Sequence, residues 1–401
     1  MKRWGERTKR AVLGWLLLIL VITLGGEKAG LAAEQPPPAE SVVEQQLRHL
    51  DFGQVEKTVD EINRELNGCL PALNWRQLLD DLRQGRLEWN LGAVVAGMAR
   101  YLFREAVANS SLLGQLVILA VVCAVLQNLR ASFEEGTVGR LAHLVCYLAL
   151  VSLALGSFLM AAQVGREALG SMVKFIQVLV PLLLTMMAAV GGFSSAALLH
   201  PFIAASLGVL STVIGNIVFP LIFLSAVLGV VNQLSDQYKV SRLAEFLKKA
   251  AIWTLGLAMT LFIGMLSIRG VMGAVGDSVT LRAAKFATGT FVPVVGGAFA
   301  EAINAVIGYS LLLKNSVGIV GMIVLLALCL IPAMKILAVI IVFKLAAILV
   351  QPLGDDRTGE AISVLGSNLG LILVTVAGVG IMFFMTVAII LGAGNLTVML
   401  R

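Results

Sequence analysis

The chain has 401 residues, of which 58% are hydrophobic and 13% charged, and its net charge is +6. This apolar fraction exceeds what a single soluble core can bury and indicates a membrane protein. A chain in hydrocarbon must pair its own backbone groups, and the long continuous apolar runs predict helices rather than the alternating strands of a barrel. The expected fold class is therefore all-α, a polytopic membrane protein.

Residues 1–33 have the pattern of a targeting segment. A basic start from Lys2 to Arg10 precedes the apolar run AVLGWLLLILVITLGG, and AGLAA supplies small residues for cleavage. We interpret the segment as a signal peptide or as an uncleaved signal anchor, because the apolar run is long for a signal peptide. In either case, the residues that follow begin outside the cytoplasm.

Residues 34–110 carry half of the acidic residues of the chain. Val55, Val59 and Ile62 recur at helical spacing, and two more short amphipathic helices are expected after Asn74 and Asn90. A segment of about seventy residues makes only a modest core. We predict a small N-terminal helical extracytoplasmic domain that leans on the bilayer, on the membrane part or on another protein.

Residues 111–401 form the predicted polytopic transmembrane domain. The apolar runs indicate about nine transmembrane helices, beginning near residues 111, 141, 175, 202, 217, 251, 317, 336 and 369. The run at 202–235 is too long for one crossing of about twenty residues, so we predict a hairpin that bends at Gly215, Asn216 and Pro220.

Loop charge then sets the orientation. The segment QYKVSRLAEFLKK, which includes Lys248, is rich in Lys and Arg and is placed in the cytoplasm. The acidic segment GDDRTGE, which includes Asp356, is placed outside, and the carboxyl end at Arg401 is placed inside.

The sequence shows no pattern of an enzyme. It lacks a G-x-x-x-x-G-K-[ST] phosphate loop, so any energy from ATP would come from a separate ATPase. His49, His143 and His200 lie far apart, without the spacing of a metal-ligand pair, and no basic stripe with interleaved aromatics indicates nucleic acid. The string GFSSA at 192–196, with His200 nearby, has a serine and a histidine as intramembrane proteases do, but helix packing is the favoured interpretation. We expect no catalytic residue, no cofactor and no metal.

Lys344 is the most informative charge within an apolar run, because a charge in lipid is expensive. Apolar residues surround it on both sides. Either its side chain extends to a lipid headgroup, or it points into the bundle toward a carboxylate such as Glu301. The second alternative would make Lys344 and Glu301 functional residues.

The segment 282–313 belongs to neither neighbouring apolar run. TGTFVPVVGG breaks a helix at Pro293 and again at Gly296 and Gly297. Non-helical backbone at membrane depth is tolerated where protein or a water-filled cavity covers it. We predict a re-entrant or interfacial segment on the outer side, with these three residues in contact with a partner.

Several segments together resemble one known family. They are the signal-like start, the acidic outer domain, QLSDQYKVSRLAEFLKK, AAKFATGTFVPVVGGAFAEA and the Gly-rich final span. The chain is similar to the stage III sporulation protein AE family of endospore-forming bacteria over nearly all of its length after residue 34.

The resemblance implies a non-enzymatic, multi-pass protein of the mother-cell membrane, placed in the outer forespore membrane. It would be a subunit of a secretion-like transport channel between mother cell and forespore, required for late forespore gene expression during sporulation. Its partners would be other stage III sporulation channel proteins in a hetero-oligomeric membrane complex, besides the lipid bilayer itself. The resemblance carries no catalytic residues.

A second class of function is open from the residues alone. The chain could be a self-sufficient small-solute permease that uses Lys344 and broken helices as its site. Dependence on partners separates the two, because a permease moves its substrate alone. The resemblance favours the channel subunit.

Overall fold

Helices make up almost all of the described part of the chain, and no strand occurs in it. The computed structural model describes residues 53–66, 74, 77–78, 80–81, 91–132, 137–233, 240–291, 296–353 and 356–399. The α-helices are α1 Gly53–Leu66, α2 Leu91–Ala108, α3 Ser110–Ser132, α4 Thr137–Ala189, α5 Phe193–Val213, α6 Phe219–Val231, α7 Ser241–Phe291, α8 Gly296–Val350 and α9 Asp356–Met399. The expectation of an all-helical membrane-type fold is confirmed.

Five helical stretches are long and apolar enough to cross a membrane. They contain 39 to 46 residues each and run over Leu144–Ala189, Phe193–Val231, Ser241–Val279, Ile307–Val350 and Arg357–Leu396. The pair α2 and α3, bent by 43° at its break, gives a sixth candidate.

The predicted division into nine transmembrane helices is not confirmed. The spans expected from 141 and 175 both lie in α4, and those expected from 317 and 336 both lie in α8. The division fails because about twenty residues is the minimum length of a crossing, not a maximum for a helix. Pro181 and Pro332 lie inside these helices without ending them.

The hairpin expected at 202–235 is wrong, because α5 and α6 continue into each other through a π turn at Ile214–Val218. In this turn, Phe219 N donates to the carbonyl of Ile214, five residues earlier. The carbonyl of Gly215 would next pair with residue 220, but Pro220 has no N–H. Arg166 of α4 donates to this Gly215 oxygen instead, at 3.3 Å. The extra residue in the turn thus accommodates the proline.

From α4 to α9 the helices alternate in direction, with α5 and α6 forming one continuous stretch. Tyr147 near the start of α4 donates to the carbonyl of Val230 at the end of α6. We call this end of the bundle the cleft end; it holds the start of α4, the end of α6, the start of α7, the end of α8 and the start of α9. We call the opposite end, with the connection between α4 and α5 and the last turns of α9, the far end.

The predicted placement of two charged segments on opposite sides of the membrane is therefore wrong. Lys248 of α7 and Glu360 of α9 line the same cavity at the cleft end, whereas loop charge placed their segments on opposite sides. The error follows from the span count, because α8 crosses the bundle once where two spans were predicted.

Packing places α9 at the centre, where it contacts α4, α6, α7 and α8. Leu369, Val376 and Phe383 are fully buried along it. Burial on several faces explains why its sequence is apolar all round and rich in small residues.

Two predicted regions fall partly or wholly outside the described residues. Residues 1–33 and Pro293 lie outside the described residues. The backbone of Gly296, Gly297 and Glu301 belongs to α8, but their side-chain surroundings are not described. The signal segment and the re-entrant or interfacial segment stay predictions. Helices α1 and α2 agree with two helices expected in 34–110, and the extracytoplasmic place of that region also stays a prediction.

Candidate functional site

A polar cleft opens at the cleft end, between the last turns of α8 and the first turns of α9. Its cavity volume is about 520 Å³. We call it the Lys344 cleft, and its lining residues are Gln233, Lys344, Ala347, Ile348, Gln351, Arg357, Gly359, Glu360 and Ser363. The 3₁₀ turn Gln351–Leu353 follows α8 here, and α9 begins at Asp356.

Lys344 is exposed at this cleft and bonds to α9. Its Nζ donates to Ser367 Oγ at 3.0 Å, to Ser363 Oγ at 3.2 Å and to the Ser363 carbonyl at 3.5 Å. All three acceptors are neutral oxygens, so none of these bonds is an ion pair. Ser363 and Ser367 are four residues apart, which places both hydroxyls on one face of α9.

The predicted alternative of a Lys344–Glu301 pair is excluded by the backbone. Both residues belong to the continuous helix α8. At a rise of about 1.5 Å per residue, their positions lie about 65 Å apart. Lys344 therefore bonds locally between α8 and α9, and its exposed ammonium agrees with the first alternative, a side chain that extends to the surface.

A second cavity of about 330 Å³ adjoins the Lys344 cleft. The two share Gln233, Glu360 and Ser363. Its wall includes Glu245 and Asn368. Asn368 is 3% exposed and donates to the Val364 carbonyl, but its Oδ1 has no hydrogen-bond partner.

A second lysine of α8 lies buried near the far end. Lys314 has no exposed surface, and its Nζ donates to the Leu391 carbonyl of α9 at 3.0 Å and to Asn395 Oδ1 at 3.5 Å. Its side chain passes over Gly394, where any Cβ would collide with the ammonium. Gly394 thus makes the room that lets this cation reach the backbone of α9.

A buried carboxylate, also toward the far end, holds the start of α5. Asp277 of α7 is 1% exposed; its Oδ1 accepts from Ser194 N at 2.6 Å and its Oδ2 accepts from Ser195 N at 2.9 Å. These N–H groups belong to the first turn of α5, which lacks partners within the helix. The negative charge also opposes the positive end of the helix dipole. The GFSSA string therefore serves a helix start and helix packing.

Comparison with known proteins adds an independent finding. The family model of stage III sporulation protein AE matches residues 73–394. Stage III sporulation protein AE of Bacillus subtilis (strain 168) is 38% identical over 395 residues, which cover 96% of this chain and 99% of that protein. This chain belongs to the stage III sporulation protein AE family. No solved structure matches it.

Within this family member, the sequence pointed to one of the three charged sites described above. It selected Lys344 because apolar residues flank it, but missed Lys314 and Asp277. The string KNS at 314–316 interrupts an apolar run and could have indicated Lys314. Asp277 gave a weaker signal, because its partners lie 83 residues away in the chain.

The described sites of this stage III sporulation protein AE family member offer charged groups and amides for binding. Among the described residues, no group of three His, Cys, Asp or Glu side chains could hold a metal ion. Cys123 and Cys329 are buried within apolar helices, where they pack as small hydrophobes. Of the sites described, the Lys344 cleft and the cavity that adjoins it combine exposure, both signs of charge and a cavity.

Proposed function

We propose that this chain is a non-enzymatic membrane subunit of a secretion-like channel between mother cell and forespore, required for late forespore gene expression. The observation that carries the proposal is the match to a stage III sporulation protein over 96% of the chain. The architecture supports it, because five or six helices are long enough to cross a membrane.

In this proposal the chain lies in the mother-cell membrane with its cleft end in the cytoplasm. The cleft end carries Lys248, Lys249, Arg242 and Arg357, which the positive-inside tendency favours on that side. The proposed partners are other stage III sporulation channel proteins, with energy from a separate ATPase.

Gene replacement in Bacillus subtilis tests the proposal. The gene of the relative is replaced by that of this chain. Heat-resistant spores are then counted, and the activity of a late forespore reporter is measured. We expect both to recover to well above the level of a deletion strain. A chain that reaches the membrane in normal amount but restores neither would contradict the proposal.

Partner docking through 282–313 is tested by a paired glycine variant. Gly296→Leu with Gly297→Leu adds bulk at the start of α8 and is expected to insert normally but to lose crosslinked sporulation partners. Gly264→Leu on α7, outside this segment, is the control, because open space surrounds that position too. Equal partner recovery from both variants would mean that the glycines do not dock a partner.

The comparisons do not favour the permease alternative. It relied on broken helices, whereas Lys344 lies in the continuous helix α8. Purified chain in liposomes tests it directly, because a permease would transport solute without partners and the proposed subunit would not.

A further inference from the structure

We propose that the Lys344 cleft binds the headgroup of a phosphatidylethanolamine molecule, with the lipid phosphate at Lys344 and the ammonium on the carboxylate side. The inference rests on the cleft itself and does not depend on the channel role. Four observations carry it: the cation, the unpaired amide oxygen, the carboxylate and the apolar mouth.

The cation supplies the phosphate contact. Lys344 Nζ faces the cleft with only neutral hydroxyl and carbonyl oxygens as its acceptors. Arg357, from the first turn of α9, lines the same cavity. A lipid phosphate oxygen at Lys344 Nζ forms a charge-assisted hydrogen bond, which is about twice as strong as a neutral one.

The amide oxygen of Asn368 favours a ligand that carries a hydrogen-bond donor. Asn368 lines the adjoining cavity, is 3% exposed and has no partner for Oδ1. A buried acceptor without a donor is costly, and such a group in a cavity wall marks a place for a ligand or water. A phosphodiester has no hydrogen-bond donor at neutral pH, whereas an ethanolamine ammonium has three N–H donors.

A carboxylate favours a cationic group at the same place. Glu360 lines both cavities. Glu245 also lines the cavity that contains Asn368, but it pairs with Lys249 at 2.8 Å, and Lys248 lines that cavity as well. Glu360 is therefore the carboxylate that both parts of the joined cavity share. A zwitterion can place its phosphate at Lys344 and its ammonium between Glu360 and Asn368 Oδ1.

The mouth of the cleft fits a lipid better than a free solute. Ile348 lines the cavity and is 62% exposed, and Leu345 and Leu349 are exposed beside it on the outer face of α8. Acyl chains can lie along this face while the headgroup enters between α8 and α9. The cavity of about 520 Å³ is within the usual size of small-ligand sites.

Native mass spectrometry of the purified full chain tests the proposal. The protein is exposed to equal amounts of phosphatidylethanolamine and phosphatidylcholine, which carry the same charges, although choline has no N–H donor. We expect preferential retention of phosphatidylethanolamine. Lys344→Met should lower retention of both lipids by about tenfold, because one charge-assisted phosphate contact is lost. Lys174→Met, at an exposed lysine of α4 outside the cleft, is the matched control and should change nothing.

A second variant keeps the test valid if Lys344→Met folds poorly. Asn368→Leu removes the unpaired oxygen, so the fold should be at least as stable while the preference for phosphatidylethanolamine over phosphatidylcholine disappears. Equal retention of the two lipids by the unmodified chain would overturn the proposal. So would tight binding of free phosphoethanolamine without retained lipid, which would assign the cleft to a soluble phosphate ester.

Discussion

The two ends of the bundle hold their charges in different ways. Toward the far end, Lys314 and Asp277 are almost fully buried and bond to backbone groups of a neighbouring helix. At the cleft end, Lys344 is exposed and bonds mainly to serine hydroxyls. Both lysines belong to α8, about 45 Å apart along its axis. Position along a long helix, rather than residue type, therefore decides whether a charge joins helices or remains available to a ligand.

Cysteine labelling that shows on which side of the membrane each end lies should give the largest effect. Single cysteines at Lys248 and Asp356, in a chain without its native cysteines, should both be shielded from an impermeant reagent outside the cell. A cysteine at Leu396, near the far end, should react. The effect is all-or-none, since the cleft end and the far end lie at opposite ends of the helices. Reaction at only one of the first two sites would break the assignment of a common end.

A glycine substitution should separate the buried lysine from its acceptor. Gly394→Val places a side chain where the Lys314 ammonium lies. The cation loses the Leu391 carbonyl while still buried, which should lower the free energy of unfolding by about 3–5 kcal/mol. Gly392→Val is the matched control, two residues away on α9 with open space around it. Reversible unfolding in detergent measures both, and equal losses would show that the Lys314 contact is not what Gly394 protects.

Substitution of Asp277, the carboxylate that binds the start of α5, should have the next largest effect on stability. Asp277→Asn keeps the shape of the side chain but offers one acceptor to two N–H groups and removes the charge. We expect a loss of about 2 kcal/mol in the free energy of unfolding. Ser278→Ala, at the neighbouring buried position, serves as control, because its hydroxyl bonds only within α7. Faster hydrogen exchange at Ser194 and Ser195 should accompany the first change alone.

The exposed lysine should matter least for stability. Lys344→Met removes hydrogen bonds that water can replace, and we expect a change below about 1 kcal/mol in the free energy of unfolding. The same substitution at Lys314 should cost more, about 1.5–3 kcal/mol, because its bonds are buried. If the two changes cost the same in one unfolding assay, the contrast between the two ends is wrong.

Composition alone was enough to predict helices, because hydrocarbon leaves few ways to pair a backbone. Lys344 could also be selected from its apolar neighbours. The helix boundaries could not be predicted, since a run of forty apolar residues is compatible with one long helix or with two crossings. That ambiguity led to the hairpin wrongly predicted at Pro220 and to the opposite membrane sides wrongly assigned to Lys248 and Asp356.

The contacts of the candidate site were beyond the sequence for another reason. Ser363 and Ser367 look like ordinary small residues of an apolar helix until α8 is placed beside them. Asp277 is informative only once α5 is known to start opposite it. Partners that are distant in the chain carry no periodic signal, so only the packing of helices shows them.

The lengths of the candidate spans have a geometrical consequence for the surrounding bilayer. Helices of 39 to 46 residues measure about 58 to 69 Å, whereas the hydrocarbon layer is about 30 Å thick. Fitting even the shortest into that layer would require a tilt of about 60°, beyond the range of about 0–40° that membrane helices adopt. The exposed apolar side chains of α7 extend along most of its candidate span, from Leu243 to Val279. Lipid tails alone therefore cannot cover the apolar perimeter of this bundle along its whole length.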